Sequence, residues 1–199
     1  MQLTREDFQK FLYTYNEDEL FYRTLYFEKK EHPETFHKFC LNLDCDLISR
    51  RQLYVPELQK EGWHSYFEEK AMFCDTADNI MLYKHYRYTP EFIHEHEFFE
   101  ILCIYDGQAH TSIQGIEHTL HKGDVCIIPP HTKHSIGIFD DSIAFNILIR
   151  GSTFQSTFFQ SLTEDSALAH FFAHVLYRKT EGNYLIFHTA NDPHKYVKC

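Results

Sequence analysis

Apolar positions along the chain change period twice. From residue 1 to about 70 they fall at helical spacing in short runs: Phe8, Phe11 and Leu12, then Leu20, Phe21 and Leu25, then Phe36 and Phe39. Thr4 with Asp7, and Asn16 with Glu19, stand three residues apart ahead of the first two runs, as in capping boxes, and Pro33 opens the third. The block from Leu41 to Lys60 has no clear period and reads as irregular chain. From about 71 to 150 short strand-like runs take over: Ile80–Tyr88, Glu97–Tyr105, Ala109–Ile113, Ile116–Leu120, Val125–Ile128, Ser135–Phe139 and Ile143–Ile149. Turn signals separate them, among them Asp106-Gly107, Gln114-Gly115, Lys122-Gly123-Asp124 and Pro129-Pro130. Many short strands at such spacing predict a β-sandwich or barrel.

From about 151 to 199 the helical period returns. Phe154, Phe158, Phe159 and Leu162 form one stripe, and Leu168, Phe171, Phe172, Val175 and Leu176 form a second. Gly182-Asn183 stops that helix ahead of a short strand, Tyr184 to Phe187. A Phe stripe is ordinarily core, so these helices are expected to pack on the barrel. They carry more Phe than one packing face needs, which predicts a homodimer contact in this third stretch. The chain stops at Tyr196-Val197-Lys198-Cys199 without a capping element, which reads as a boundary inside a longer protein.

Composition narrows the function classes. The chain has 199 residues with 19 Phe and 13 Tyr, enough for a core without staples. The formal net charge of -10 disfavours phosphate backbones and anionic membrane surfaces. No apolar run reaches the ~18 residues of a membrane span. The start, Met1 to Asp7, lacks a signal-peptide layout, so a cytoplasmic location is expected. Six cysteines, none in a Cys-x-x-Cys pair, read as core thiols before a redox or zinc role.

The candidate chemistry is concentrated in His94-Glu95-His96-Glu97-Phe98-Phe99-Glu100. His94, His96 and Glu100 share parity along a strand and point to one face, the interior of a barrel. Two imidazoles and a carboxylate suit Zn, Fe, Mn or Ni, with His134 as the fourth candidate ligand from another strand. The same four residues also suit a metal-free polar floor that hydrogen-bonds a small ligand. Tyr83 and His85 are candidate ligand contacts, although His85 also reads as a packed or surface histidine. Leu102 and Ile104 are candidate apolar wall. His118, His121 and His131 read as exposed turn residues at the mouth. The acidic pairs at 17–19, 67–69 and 140–141 read as solvated faces.

These residues resemble the cupin superfamily. His94, His96, Glu100 and Gly107 match its first motif in register, and Gly123, Pro129 and His134 match its second. His131 and Ile138 depart from that second motif, where Gly and Asn are usual, and the Gly that precedes the first motif is absent. More narrowly, the phrasing His-x-His-x-Phe-Phe-Glu, then Gly123 to Pro130 and His134-Ser135-Ile136, resembles the sensor half of AraC/XylS-type bacterial regulators. Asp140 to Ile143, Asn146 to Ile149 and Asn183 to Thr189 continue that likeness, which is similar to a subset common in low-GC Gram-positive bacteria. The resemblance implies an antiparallel cupin barrel (a double-stranded β-helix or jelly roll) over 71–150, mainly β, flanked by a helical or irregular extension, 1–70, and a helical segment, 151–199. It implies effector sensing and dimerisation, with DNA contacted through a C-terminal helix-turn-helix domain. It also implies that the four metal positions are often kept without a metal. The other reading is a metal-dependent cupin enzyme, such as a dioxygenase or sugar isomerase. A standalone cupin interaction module is a third.

Overall fold

The structure is a computed structural model that describes residues 4–59, 65–74, 78–154, 156, 184–188 and 196–198. Both capping boxes are formed. Thr4 and Asp7 start α1 (Arg5–Tyr13), and Asn16 and Glu19 start α2 (Glu17–Glu31). Two shorter helices follow, α3 (Phe36–Leu41) and α4 (Cys45–Arg51). The second corrects the expectation of irregular chain over Leu41 to Lys60. Its start is made by the Asp44 side chain, which accepts from the backbone amides of Asp46 and Leu47. Tyr22, Leu25, Phe36, Cys40, Leu53 and Val55 pack this helical layer together around Tyr88.

The strands are β1 (Tyr66–Phe67), β2 (Ile80–Lys84), β3 (Glu95–His96), β4 (Phe99–Asp106), β5 (Gln108–Ile113), β6 (Ile116–His121), β7 (Val125–Ile128), β8 (His134–Gly137), β9 (Ile143–Ile149), β10 (Leu185–Phe187) and β11 (Tyr196–Lys198). Short helical turns α5 (Glu69–Met72) and α6 (Gly151–Thr153) flank β2 and β9. The chain is mainly β with helical extensions. A six-stranded antiparallel sheet runs β11-β10-β7-β4-β9-β2, and a three-stranded antiparallel sheet runs β6-β5-β8. β1 and β3 form a separate parallel pair.

One core cluster draws on both larger sheets: Leu102, Ile104, Cys126, Ile128 and Ala144 from the first meet Ala109, Ile113, Leu120 and Ile136 from the second. The alternation along β4 explains this, since Glu100, Leu102 and Ile104 are buried while Ile101, Cys103 and Tyr105 are less so. At the β5–β6 hairpin Gln114 and Gly115 both take positive φ, 53° and 78°, as the twist of a two-residue turn demands.

The antiparallel sheets and helical extensions match the expectation, and no closed barrel is found among the described residues. β7 and β8 are separated by Pro129-Pro130, which offer no backbone N–H to continue a ladder. An isolated antiparallel bridge, His94 to His134, joins the segment before β3 to β8 of the three-stranded sheet. The strand expected over Ile80–Tyr88 ends at Lys84, and Tyr88 takes a left-handed φ of 63°. The acidic group at 17–19 is not simply a solvated face. Glu19 is fully enclosed, and its carboxylate takes Arg87 Nε at 2.9 Å and Lys84 Nζ at 3.0 Å. The double Phe stripe falls almost wholly outside the described residues. Phe154 alone is described, buried and stacked on Phe99 with centroids 3.8 Å apart. Among the described residues no helix is long and apolar enough to cross a membrane.

Candidate functional site

Three strands and the segment before β3 bring the predicted polar residues together. His94 precedes β3, His96 ends it, Glu100 lies in β4, and His134 opens β8. The backbones of His94 and His134 exchange hydrogen bonds of 2.8 and 2.9 Å, so the two rings are held side by side, 4.1 Å between centroids. Glu100 Oε2 lies 3.1 Å from both His96 Nε2 and His134 Nε2. His96, Glu100 and His134 are all at most 3% exposed.

The tautomers follow from the outer contacts. His94 Nδ1 is 3.1 Å from the Phe92 carbonyl, and His134 Nδ1 is 2.9 Å from the Thr132 carbonyl. A carbonyl only accepts, so both Nδ1 atoms carry hydrogens and both rings turn Nε2 inward. Burial, reinforced by the neighbouring His134, pushes His94 down to about 3, so it is neutral at neutral pH with a lone pair on Nε2. Burial pushes the Glu100 carboxyl up, but the hydrogen bonds from His134 and His96 outweigh it and hold it well below the usual carboxylate range. His94, Glu100 and His134 each offer a ligand atom within 4.8 Å of the others, the only such group among the described residues. His94 offers an inward Nε2 lone pair, and His134 would ligate a divalent transition metal beside the carboxylate on giving up the Nε2 hydrogen it directs at Glu100.

The site opens into a cavity of about 570 Å³. Tyr83, His85, His94, His96 and Glu100 line it, as sequence parity suggested. Leu102 and Ile104 do not. They share the face of Glu100 but lie farther along β4, packed in the core between the sheets. His121 and His131 are exposed as expected, whereas His118 is half-buried with its Nε2 2.6 Å from the Tyr184 hydroxyl.

Asn146 in β9 was missed by the sequence reading, yet it lines the same cavity. It is the only polar residue in the apolar run Ile143–Ile149, which was the available signal. Three buried polar atoms in the cavity walls have no hydrogen-bond partner: His85 Nε2, His96 Nδ1 and Asn146 Oδ1. Buried polar groups are rarely left so, and water or a ligand in the cavity would complete the bonding of these three. Burial alone pushes the His85 imidazole below its ordinary value.

Two facing antiparallel sheets carry a His/Glu floor beneath a cavity of ligand size. A model of the AraC-like ligand-binding domain matches residues 81–183. The chain belongs to the AraC-like ligand-binding domain family. Among curated proteins, the HTH-type transcriptional activators RhaS of Yersinia pestis (strain Pestoides F) and of Yersinia pseudotuberculosis (serotype O:1b, strain IP 31758) are each 33% identical over 57 residues. Those residues are 29% of this chain and 21% of either activator, so the match spans about a fifth of the relatives' length. Among solved structures, KdgF from Halomonas sp. overlaps 36% of this chain and 70% of its own, with 21% identity and a TM-score of 0.33. A cupin protein from Bacteroides fragilis overlaps 37% and 66%, with 24% identity and a TM-score of 0.31.

Proposed function

We propose that this chain is the effector-sensing part of an AraC-type transcription regulator, and that the effector binds in the cavity above His94, His96, Glu100 and His134. The observation that carries the reading is the convergence of three unpartnered buried polar atoms on that one cavity. Tyr83, His85 and Asn146 are the further ligand contacts. Residues 71–150 form the sensor, with the 1–70 extension packed on one end. Residues 151–199 supply a homodimer contact, and sedimentation at micromolar concentration tests this, a monomer mass being the contrary result. DNA contact in such a regulator falls to a helix-turn-helix domain, as in the name of the RhaS activators. The 199-residue chain itself is net acidic and is expected to give no site-specific gel shift at low salt.

The test is thermal melting against a panel of small metabolites. At least one is expected to raise the melting temperature of the wild type, since binding to the native state alone stabilises it. The same compound is expected to lose its effect on Asn146→Leu. A panel-wide absence of stabilisation, or equal stabilisation of both proteins, contradicts the reading. The metal-ready grouping of His94, Glu100 and His134 supports a second reading, a metal-dependent cupin enzyme. Metal analysis of untreated protein, followed by a turnover assay with any ligand found, separates the two.

A further inference from the structure

A second cavity, of about 710 Å³, lies between the helical layer and the segment that leads into β3. Pro90 and Phe92 line this cavity and the one above His94, so the two share a wall. Six rings line it: Tyr26 of α2, Phe36 of α3, Tyr54, Tyr88, Phe92 and Phe139. Tyr26 is stacked on Phe139 with centroids 5.1 Å apart and stands 5.2 Å from Tyr88, and Tyr54 is 4.5 Å from Phe92. Core rings ordinarily interdigitate and exclude voids. These leave a space larger than the cavity of about 570 Å³ above His94. Tyr88 is presented to it by a left-handed backbone, φ 63°, which non-glycine residues rarely take and which is kept mainly where a site requires it.

The charged residues on this wall are two carboxylates and one ammonium: Glu57, Glu91 and Lys29. Lys29 Nζ is 2.9 Å from Glu57 Oε1, so that pair is neutral in sum. Among the described residues no Lys or Arg pairs with Glu91. Its carboxylate rests on the bare Cα of Gly137, where a Cβ would stand 2.3 Å from Oε1. Desolvation pushes the Glu91 carboxyl up, Glu117 adds to this, and His110 opposes it. An aromatic face is negative, and a carboxylate beside several such faces adds to the same potential. The wall therefore attracts a cation and repels an anion.

We propose that this second cavity binds a compact organic cation, an alkylated ammonium head held against the Tyr26, Tyr88 and Phe139 rings and balanced by Glu91. The assignment does not depend on the effector reading of the cavity above His94.

Choline, 3,3-dimethylbutan-1-ol and 3,3-dimethylbutanoate share one branched shape and differ in carrying a positive, no or a negative charge. Each is titrated into the 199-residue chain at neutral pH and followed by ligand-observed NMR. Choline is expected to bind about fivefold or more tighter than the alcohol, with no measurable binding of the anion. Tyr26→Leu is expected to weaken choline about tenfold, and Asn146→Leu, on the wall of the other cavity, to leave it unchanged. Glu91→Gln is expected to weaken choline about threefold or more while sparing the alcohol, and it carries the test if Tyr26→Leu does not fold. Parity of choline and alcohol, preference for the anion, or no binding of any probe overturns the proposal. Choline binding unchanged in Tyr26→Leu or in Glu91→Gln also overturns it. So does loss in Asn146→Leu, which would place the cation in the cavity above His94.

Discussion

His94 and His134 are joined by two backbone hydrogen bonds, 2.8 and 2.9 Å long, and this one bridge sets two rings of the polar floor. The bonds run through main-chain atoms and survive replacement of either side chain. His134→Ala is therefore expected to keep the fold by circular dichroism. It is expected to cost about 1–3 kcal/mol in urea denaturation, because Glu100 loses a buried partner. In the metabolite panel it is expected to lose ligand stabilisation altogether.

The Glu19–Arg87 pair joins the helical layer to the end of the cavity-lining chain, and Arg87 is also centred 3.6 Å over the Tyr15 ring. Glu19→Ala leaves a buried guanidinium without its carboxylate and is expected to cost about 3–5 kcal/mol. Equilibrium urea unfolding measures this. A loss below about 1 kcal/mol would mean that the pair is neutral to the fold.

The same pair gives a pH dependence of known sign. Burial pushes the Glu19 carboxyl up, but the hydrogen bonds from Arg87, Lys84 and the Asn16 amide outweigh it, so its folded value lies below the ordinary 4.5. The unfolded chain thus holds this proton more tightly than the folded one does. The contribution is full above pH 4.5 and is lost as pH falls through the lower folded value. The stability gap between wild type and Glu19→Gln is expected to be constant from pH 7 to 5 and to narrow below that. A gap that widens on acidification contradicts the assignment.

Gly107 and Gly115 both have positive φ, 73° and 78°, but only one is enclosed. A Cβ at Gly107 would stand 2.0 Å from Ser142 Oγ, whereas one at Gly115 would meet nothing within 4 Å. Ser142 Oγ is itself held, accepting from the Gln108 amide at 2.8 Å. Gly115→Ala is expected to cost about 1–2 kcal/mol of backbone strain. Gly107→Ala is expected to cost that plus about 1–3 kcal/mol of overpacking. Parallel denaturation curves compare the two.

Local rules made much of this molecule readable. Strand parity singled out His94, His96 and Glu100 together, although β3 and β4 prove to belong to different sheets, and turn residues marked the hairpins. What escaped depended on distant partners. Glu19 reads correctly as a cap, but its burial needs Arg87, 68 residues away. Asn146 faces the cavity only because β9 lies beside β2 and β4. Leu102 and Ile104 share parity with Glu100, but parity does not say where along a strand an interior stops being cavity and becomes core. Strand count predicted a sandwich or barrel, and strand count is silent on whether Pro129-Pro130 lets the ladder continue.

The central claim is that the polar-floored cavity is the ligand site, and imidazole nitrogen NMR tests it most directly. Spectra are recorded with and without the compound that most stabilises the chain in the melting panel. In the free protein His94 is expected as the Nδ1–H tautomer, and His134 with its hydrogen retained on Nδ1. On binding, the ring nitrogens of His85, His94 and His96 are expected to shift, while the exposed His110 and His121 stay in place. Shifts confined to the exposed rings, with the cavity histidines unmoved, would contradict the account.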